Sequence, residues 1–127
     1  MFDFRKRRSV LVIEDDQVLI NLIKHRLTRH EKMKVLSAPD GVSGLKAAIR
    51  EHPDLILLDW GLSDELTGFD VLQNLKDDPD TCDIPVVMLT ARNRVGEIED
   101  CLASGAVGYL TKPARLSEIS EKIRQVL

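Results

Sequence analysis

The chain has no apolar run approaching the roughly 18 residues that a membrane-spanning helix requires, so insertion into a bilayer is not expected. It has almost no cysteine. Cys82 and Cys101 form no metal or redox spacing, and a reducing compartment asks no more of them than to act as small apolar side chains. There is no internal repeat, no low-complexity tract and no linker to a second domain. An excess of positive charge is lacking except in one place. Arg5, Lys6, Arg7 and Arg8 against Asp3 give the first eight residues a net +3, and since the whole chain carries −3, the remainder carries −6. Four basic residues beside an acidic domain, with no recognition helix, read as a solubilising arm, so direct nucleic-acid binding by this chain is not expected. The arm has the charge of a signal peptide's start, but Val10-Leu11-Val12-Ile13 runs straight into Glu14-Asp15-Asp16 and is too short for an export signal. The expectation is a cytoplasmic protein with an arm over residues 1–8 and one domain over 9–127.

What is present is enough for one hydrophobic core: 127 residues, 43% of them hydrophobic and 31% charged. Five short apolar runs, Val10–Ile13, Val35–Ala38, Leu55–Leu58, Pro85–Leu89 and Val107–Leu110, predict strands. Three are nearly continuous Val, Ile and Leu, as in parallel strands covered on both faces. Between them the periodicity is helical. Val18, Leu19, Leu22, Ile23, Arg26 and Leu27 predict one inward stripe, Leu45, Ala48 and Ile49 a second, and Phe69, Leu72 and Leu75 a third. Leu116, Ile119, Ile123 and Val126 mark the last helix, and Pro39-Asp40-Gly41, His52-Pro53-Asp54 and Pro79-Asp80 are turns. Five alternations of strand and helix predict a doubly wound α/β fold with right-handed crossovers.

Such sheets bind ligands outside the carboxyl ends of their strands. Those ends carry Glu14-Asp15-Asp16, Asp59, Thr90-Ala91 and Lys112-Pro113. Leu55-Ile56-Leu57-Leu58 belongs in an interior, and ending it at Asp59 is unfavourable unless something pairs with the carboxylate. Clustered carboxylates raise one another's pKa unless a cation intervenes, and oxygen ligands of this kind suit Mg²⁺. A lysine among them can neutralise an incoming anion. Asp16 is also placed to cap the helix that follows.

Ile13-Glu14-Asp15-Asp16, Leu57-Leu58-Asp59, Leu89-Thr90-Ala91 and Gly108-Tyr109-Leu110-Thr111-Lys112-Pro113, in this order and spacing, resemble the receiver domain of two-component response regulators from Val10 to about Val126. The resemblance implies a five-stranded parallel sheet of order 2-1-3-4-5 flanked by five helices. It implies Mg²⁺-dependent transfer of a phosphoryl group from a histidine kinase or histidine phosphotransfer protein to Asp59, in a signalling protein and not a multiple-turnover enzyme. On the same basis Asp15 binds the metal, Glu14 holds it directly or through water, and the Gly61 carbonyl is a further ligand. Lys112 pairs with the phosphoryl oxygens, Thr90 hydrogen-bonds one of them, and Tyr109 follows Thr90. Gly61 and Arg92 occupy the positions that set the lifetime of the phosphoryl group. A cis bond before Pro113 is implied too, and a downstream effector or a second copy is expected on the face of the fourth helix, fifth strand and fifth helix.

The sequence departs from that family in the stretch after Asp59. Ser63 stands where a proline is usual, Gly68 comes one residue late, and the loop Ser63-Asp64-Glu65-Leu66-Thr67 has an extra residue. Ala114 stands where phenylalanine is frequent. Trp60 is expected along the rim of the acidic site. The altered loop is the one feature favouring a receiver-like interaction module that works without phosphorylation. Two other classes fit less well: a haloacid-dehalogenase-type phosphatase needs an Asp-x-Asp pair, and a flavodoxin needs a hydroxyl-rich loop after the first strand.

Overall fold

The computed structural model describes residues 7–62, 65–91 and 95–127. Five strands, β1 (Ser9–Ile13), β2 (Lys34–Ala38), β3 (Leu55–Asp59), β4 (Val86–Ala91) and β5 (Gly108–Lys112), alternate with five helices. These are α1 (Gln17–His30), α2 (Gly41–Glu51), α3 (Gly68–Asp77), α4 (Val95–Ala103) and α5 (Leu116–Val126). All pairings are parallel and the strand order is β2-β1-β3-β4-β5, the expected topology. Two strand boundaries differ from the sequence reading. β4 begins after Pro85 and extends through Thr90-Ala91, and β5 begins at Gly108 and extends through Lys112. Asp59, Thr90 and Lys112 are therefore ladder residues themselves, opposite Leu89, Thr111 and Ala91. Their backbones are fixed by sheet hydrogen bonds and not by loops.

Period-two alternation divides the core in two. Leu11, Ile13, Ile56, Leu58, Val86 and Met88 face α2 and α3, packing with Ala47, Ala48, Val71, Leu72 and Leu75. Val10, Val12, Leu55, Leu57, Val87 and Leu89 face α1 and α5, against Ile20, Ile23, Leu27, Ile119 and Ile123. Helix starts are set by side chains that satisfy otherwise orphaned amides. The Val18 and Leu19 amides donate to Asp16, and the Ser43 amide to Asp40. At α3, Thr67 and Asp70 form a reciprocal capping box. The Lys112–Pro113 bond is cis, as the resemblance implied.

The predicted helix stripes need correction. Val18 is 69% exposed and Leu22 49%, whereas Ile20 is buried. The stripe that packs is Ile20–Ile23–Leu27, a rotation of the expected one. Arg26 lies at its edge because its guanidinium Nε donates to the buried Ser120 Oγ on α5 at 3.2 Å. A second tie, Arg124 to Glu31, links the far ends of α1 and α5. On α2, Ala48 is buried as expected, but Ile49 is 52% exposed and the small residues Gly44 and Ala47 pack inward in its place. A Cβ on Gly44 would lie 2.6 Å from Ile13 Cδ1, which is how closely α2 approaches the sheet. Among the described residues of α4, Cys101 alone is buried.

Candidate functional site

β1 ends at Ile13, but the ladder continues one step, with the Glu14 amide donating to Ala38 O. This directs the Glu14 side chain inward, where the residue is fully buried. One carboxylate oxygen accepts from Lys112 Nζ at 2.7 Å and the other from the Asp16 amide at 3.1 Å. Burial raises the pKa of Glu14, an effect the bonds from Lys112 and Asp16 only partly offset. Asp59, at the end of β3, is 4% exposed. Its Oδ1 lies 3.1 Å from Lys112 Nζ and accepts the Gly61 amide at 3.1 Å. The buried strand ends in a carboxylate because a lysine two strands away reaches it. Lys112 answers in kind: burial pulls its pKa down, but the Glu14 and Asp59 carboxylates outweigh that and leave it raised.

Asp15 is on the exposed side of the same cluster. One oxygen each from Glu14, Asp15 and Asp59 lie within 4.8 Å of one another. That all-oxygen donor set, with one member open to solvent, fits a small hard divalent cation. Gly61 is held against Asp59 by its amide, and a Cβ there would be 3.7 Å and 3.9 Å from the two carboxylate oxygens. Thr90 is buried beside the cluster, and among the described residues its Oγ1 makes only a long contact, 3.5 Å, to Ala91 O. Tyr109 is separate from the acidic cluster, 40% exposed on β5. Trp60 is half-buried, its ring 5.5 Å from that of Phe69, and it packs on the α2–α3 side of the core. Arg92, Ser63 and Asp64 lie outside the described residues.

Two features escaped the sequence reading. The first is the Lys112–Glu14 pair; the fully apolar run before Glu14 was its signal, since a carboxylate carried inward from such a strand calls for a cation. The second is Gly68. Its amide donates to Trp60 O at 3.2 Å, and a Cβ on it would be 2.3 Å from Asp59 O and 2.6 Å from Trp60 Cα. The glycine that comes late in sequence thus still packs directly beneath Asp59. Ahead of it, Leu62 is buried and Leu66 packs on Gly41 of α2.

A cleft of about 430 Å³ opens beside Lys112, between Val18 and Leu22 of α1 and Ile119 of α5. Ala114 lines it, at the position where a phenylalanine would be bulkier. A second depression, about 440 Å³, lies along β5 and α5, between Tyr109 and Glu118, Glu121, Lys122 and Gln125.

The family described as response regulator receiver domain matches residues 10–124. The chain is 40% identical over 121 residues to the DNA-binding dual master transcriptional regulator RpaA of Synechocystis, covering 93% of this chain and 48% of that one. It is 42% identical over 104 residues to the response regulator PleD of Caulobacter vibrioides, covering 82% of this chain and 22% of the relative. The chain therefore spans about half or less of the length of these relatives. A Vibrio cholerae chemotaxis protein has the same fold, with a TM-score of 0.87 at 24% identity over 96% of this chain and all of that one. The receiver domain of a Pseudomonas aeruginosa sensor histidine kinase, solved with magnesium coordinated in its active-site cleft, aligns with a TM-score of 0.83 at 28% identity. That alignment covers 94% of this chain and 97% of the other.

Proposed function

This chain belongs to the response regulator receiver family, and on that premise we propose that it accepts a phosphoryl group on Asp59 and thereby changes what it binds. The observation that carries the proposal is the state of Asp59: nearly buried, aimed by the Gly61 amide, and paired with a lysine inside a set of three clustered carboxylates. A carboxylate fixed in this way is positioned as a nucleophile, and positioning is most of what phosphoryl transfer asks of a protein.

Glu14, Asp15 and Asp59, with the Gly61 carbonyl, would hold Mg²⁺. When bound, the ion would neutralise the phosphoryl oxygens and keep the carboxylates from repelling one another. The remaining roles belong to the chain. Asp59 attacks phosphorus as the bond from phosphorus to the donor's imidazole nitrogen breaks, and the electron pair leaves with that nitrogen. Lys112, already bound to two carboxylates, turns to the phosphoryl oxygens as negative charge arrives. The Thr90 hydroxyl, only weakly engaged at rest, donates to one of those oxygens.

The donor is a histidine kinase or a histidine phosphotransfer protein. The apolar cleft formed by Val18, Leu22 and Ala114 gives such a partner a foothold beside the acceptor. The readout lies on the other side of β5. Movement of Thr90 toward the phosphoryl group makes room for Tyr109, changing the surface of α4, β5 and α5 where an effector or second copy docks. α4 is the element that yields, because one buried side chain anchors its described part. Arg92 would shield the phosphoryl group from water. No described helix is long and apolar enough to cross a membrane, in keeping with a cytoplasmic role for residues 9–127. A test is the effect of chelation: a small-molecule phosphodonor should label the chain with Mg²⁺ and fail to do so with excess EDTA. Equal labelling in both would reject the metal-dependent reading.

A further inference from the structure

Helix α2 presents an apolar stripe to solvent. Val42 is 38% exposed and Ile49 52%, and half-buried Leu45 lies between them, at the spacing of three and four residues that makes one helical face. Charge flanks this stripe with a different sign on each side. On one side is α3: a Cβ on Gly41 would lie 2.8 Å from Val71 Cγ2, which fixes the side of α2 that faces it. There Leu45 and Ile49 share a cavity of about 330 Å³ with Asn74, Asp77 and Asp78. Lys76 does not neutralise this acidic rim, because its ammonium is turned to the Cys82 and Ile84 carbonyls, at 3.1 Å and 2.7 Å. On the other side are Lys46 and Arg50, both exposed. At about 100° per residue they stand roughly 40° and 80° from Val42, away from α3, whereas Leu45 and Ile49 stand roughly 60° and 20° toward it. Arg50 pairs with its sequence neighbour Glu51 at 3.1 Å, but both side chains are exposed and water screens such a pair heavily. Arg50 and Asp77 occupy the last turns of α2 and α3, so the two signs stand at the same end of the stripe.

A face with acidic, apolar and basic bands side by side is complementary to itself under one kind of two-fold axis. An axis running along α2 sets two copies parallel, lays stripe on stripe and turns each basic band onto the other copy's acidic one. An axis across α2 sets them antiparallel and opposes acid to acid and base to base, which is unfavourable. We propose that the chain self-associates through α2 as a parallel two-fold pair, with Val42, Leu45 and Ile49 meeting their own copies and Arg50 reaching Asp77 and Asp78 of the second copy. The occupant is a second copy and not a peptide of one charge sign, because such a peptide would match one band and be repelled by the other. α2 packs on β1, β2 and α3, at the edge of the sheet away from β5, so the pair leaves the α4–β5–α5 face open. Its formation requires no phosphoryl group on Asp59.

Sedimentation equilibrium of the full chain, without a phosphodonor, should show a monomer–dimer equilibrium. Arg50→Glu should weaken it at least about tenfold, as should Asp77→Arg, and the two substitutions together should restore it. Disulfide trapping reads the direction of packing in a chain carrying Cys82→Ser, which leaves only the buried Cys101. Val42→Cys and Ile49→Cys should each cross-link to its own kind under a mild oxidant. A monomer at every concentration up to about 1 mM, or association indifferent to these charges, would overturn the proposal. So would trapping only between the two different cysteine variants, which would make the pair antiparallel.

Discussion

The Lys112 ammonium lies 2.7 Å from the buried Glu14 carboxylate, across 98 residues of sequence. Removing the cation leaves a carboxylate in the sheet interior with the Asp16 amide as its one remaining donor among the described residues. Lys112→Met should therefore lower stability. A fully buried pair broken on one side loses several kcal/mol, but Lys112 keeps about a third of its side chain in solvent, so the expected loss is ~1–3 kcal/mol. The variant should raise the Glu14 pKa beyond the increase that burial already causes. An acid whose folded pKa is raised favours the fold below its unfolded value, and that benefit is lost as pH rises through the folded value. Urea unfolding should therefore show a smaller deficit near pH 5 than near pH 8. Equal deficits would mean Glu14 does not carry the effect.

Trp60 adjoins Asp59, and a divalent ion at the cluster would be the largest local charge. Mg²⁺ titration should change its fluorescence, and Asp15→Ala should weaken the apparent affinity at least about tenfold. Because burial raises the Glu14 pKa, protons compete with the metal there. Affinity should fall as pH drops toward that raised value, and Glu14→Gln, weaker throughout, should lose this part of the pH dependence. Parallel pH profiles for the two proteins would assign the competition elsewhere.

Three glycines separate packing from chemistry. Gly68→Ala drives a methyl group into the Asp59 and Trp60 backbone, and a backbone clash of this kind should destabilise by ~1–3 kcal/mol or more. Gly61→Ala meets only ordinary contacts with Asp59, and Gly96→Ala on α4 meets nothing within 4 Å. The first should fold normally, and the second should stabilise by ~0.5–1 kcal/mol through helix propensity. Thermal melts of the three variants check the order, and a Gly68→Ala protein as stable as the parent would contradict the close approach.

The topology was legible because its signals are local: five apolar runs, turn residues such as Pro39-Asp40-Gly41 between them and a cap at Asp16. The gathering of acids and lysine followed from topology, since parallel strands put all their carboxyl ends on one edge. What was not legible depended on partners distant in sequence. On α1, Val18–Leu22 and Ile20–Ile23–Leu27 are both helical stripes, and periodicity does not choose between them. Contact with α5 does, through Ile119, Ile123 and the Arg26–Ser120 bond. Ile49 was misplaced because small residues, Gly44, Ala47 and Ala48, let α2 approach the sheet too closely for larger ones. Gly68 comes one residue late in the sequence, but only the fold shows that it packs on the Asp59 and Trp60 backbone all the same.

The two cysteines should differ sharply. Cys82 is exposed, and Cys101 is buried with its thiol pKa pushed up to about 11, first by burial and then by Asp100 and Glu97. A thiol reagent near neutral pH should modify Cys82 rapidly and Cys101 only in denaturant. Rapid native labelling at Cys101 would show that α4 opens more readily than its packing indicates.

The most direct measurement is intact and peptide mass spectrometry after incubation with acetyl phosphate and Mg²⁺. The account predicts one added phosphoryl group, located on Asp59, and none on Asp59→Asn under the same conditions. Thr90→Ala should still take up the group. Undiminished labelling of Asp59→Asn, or a native adduct at any other residue, would contradict the assignment of Asp59 as the acceptor.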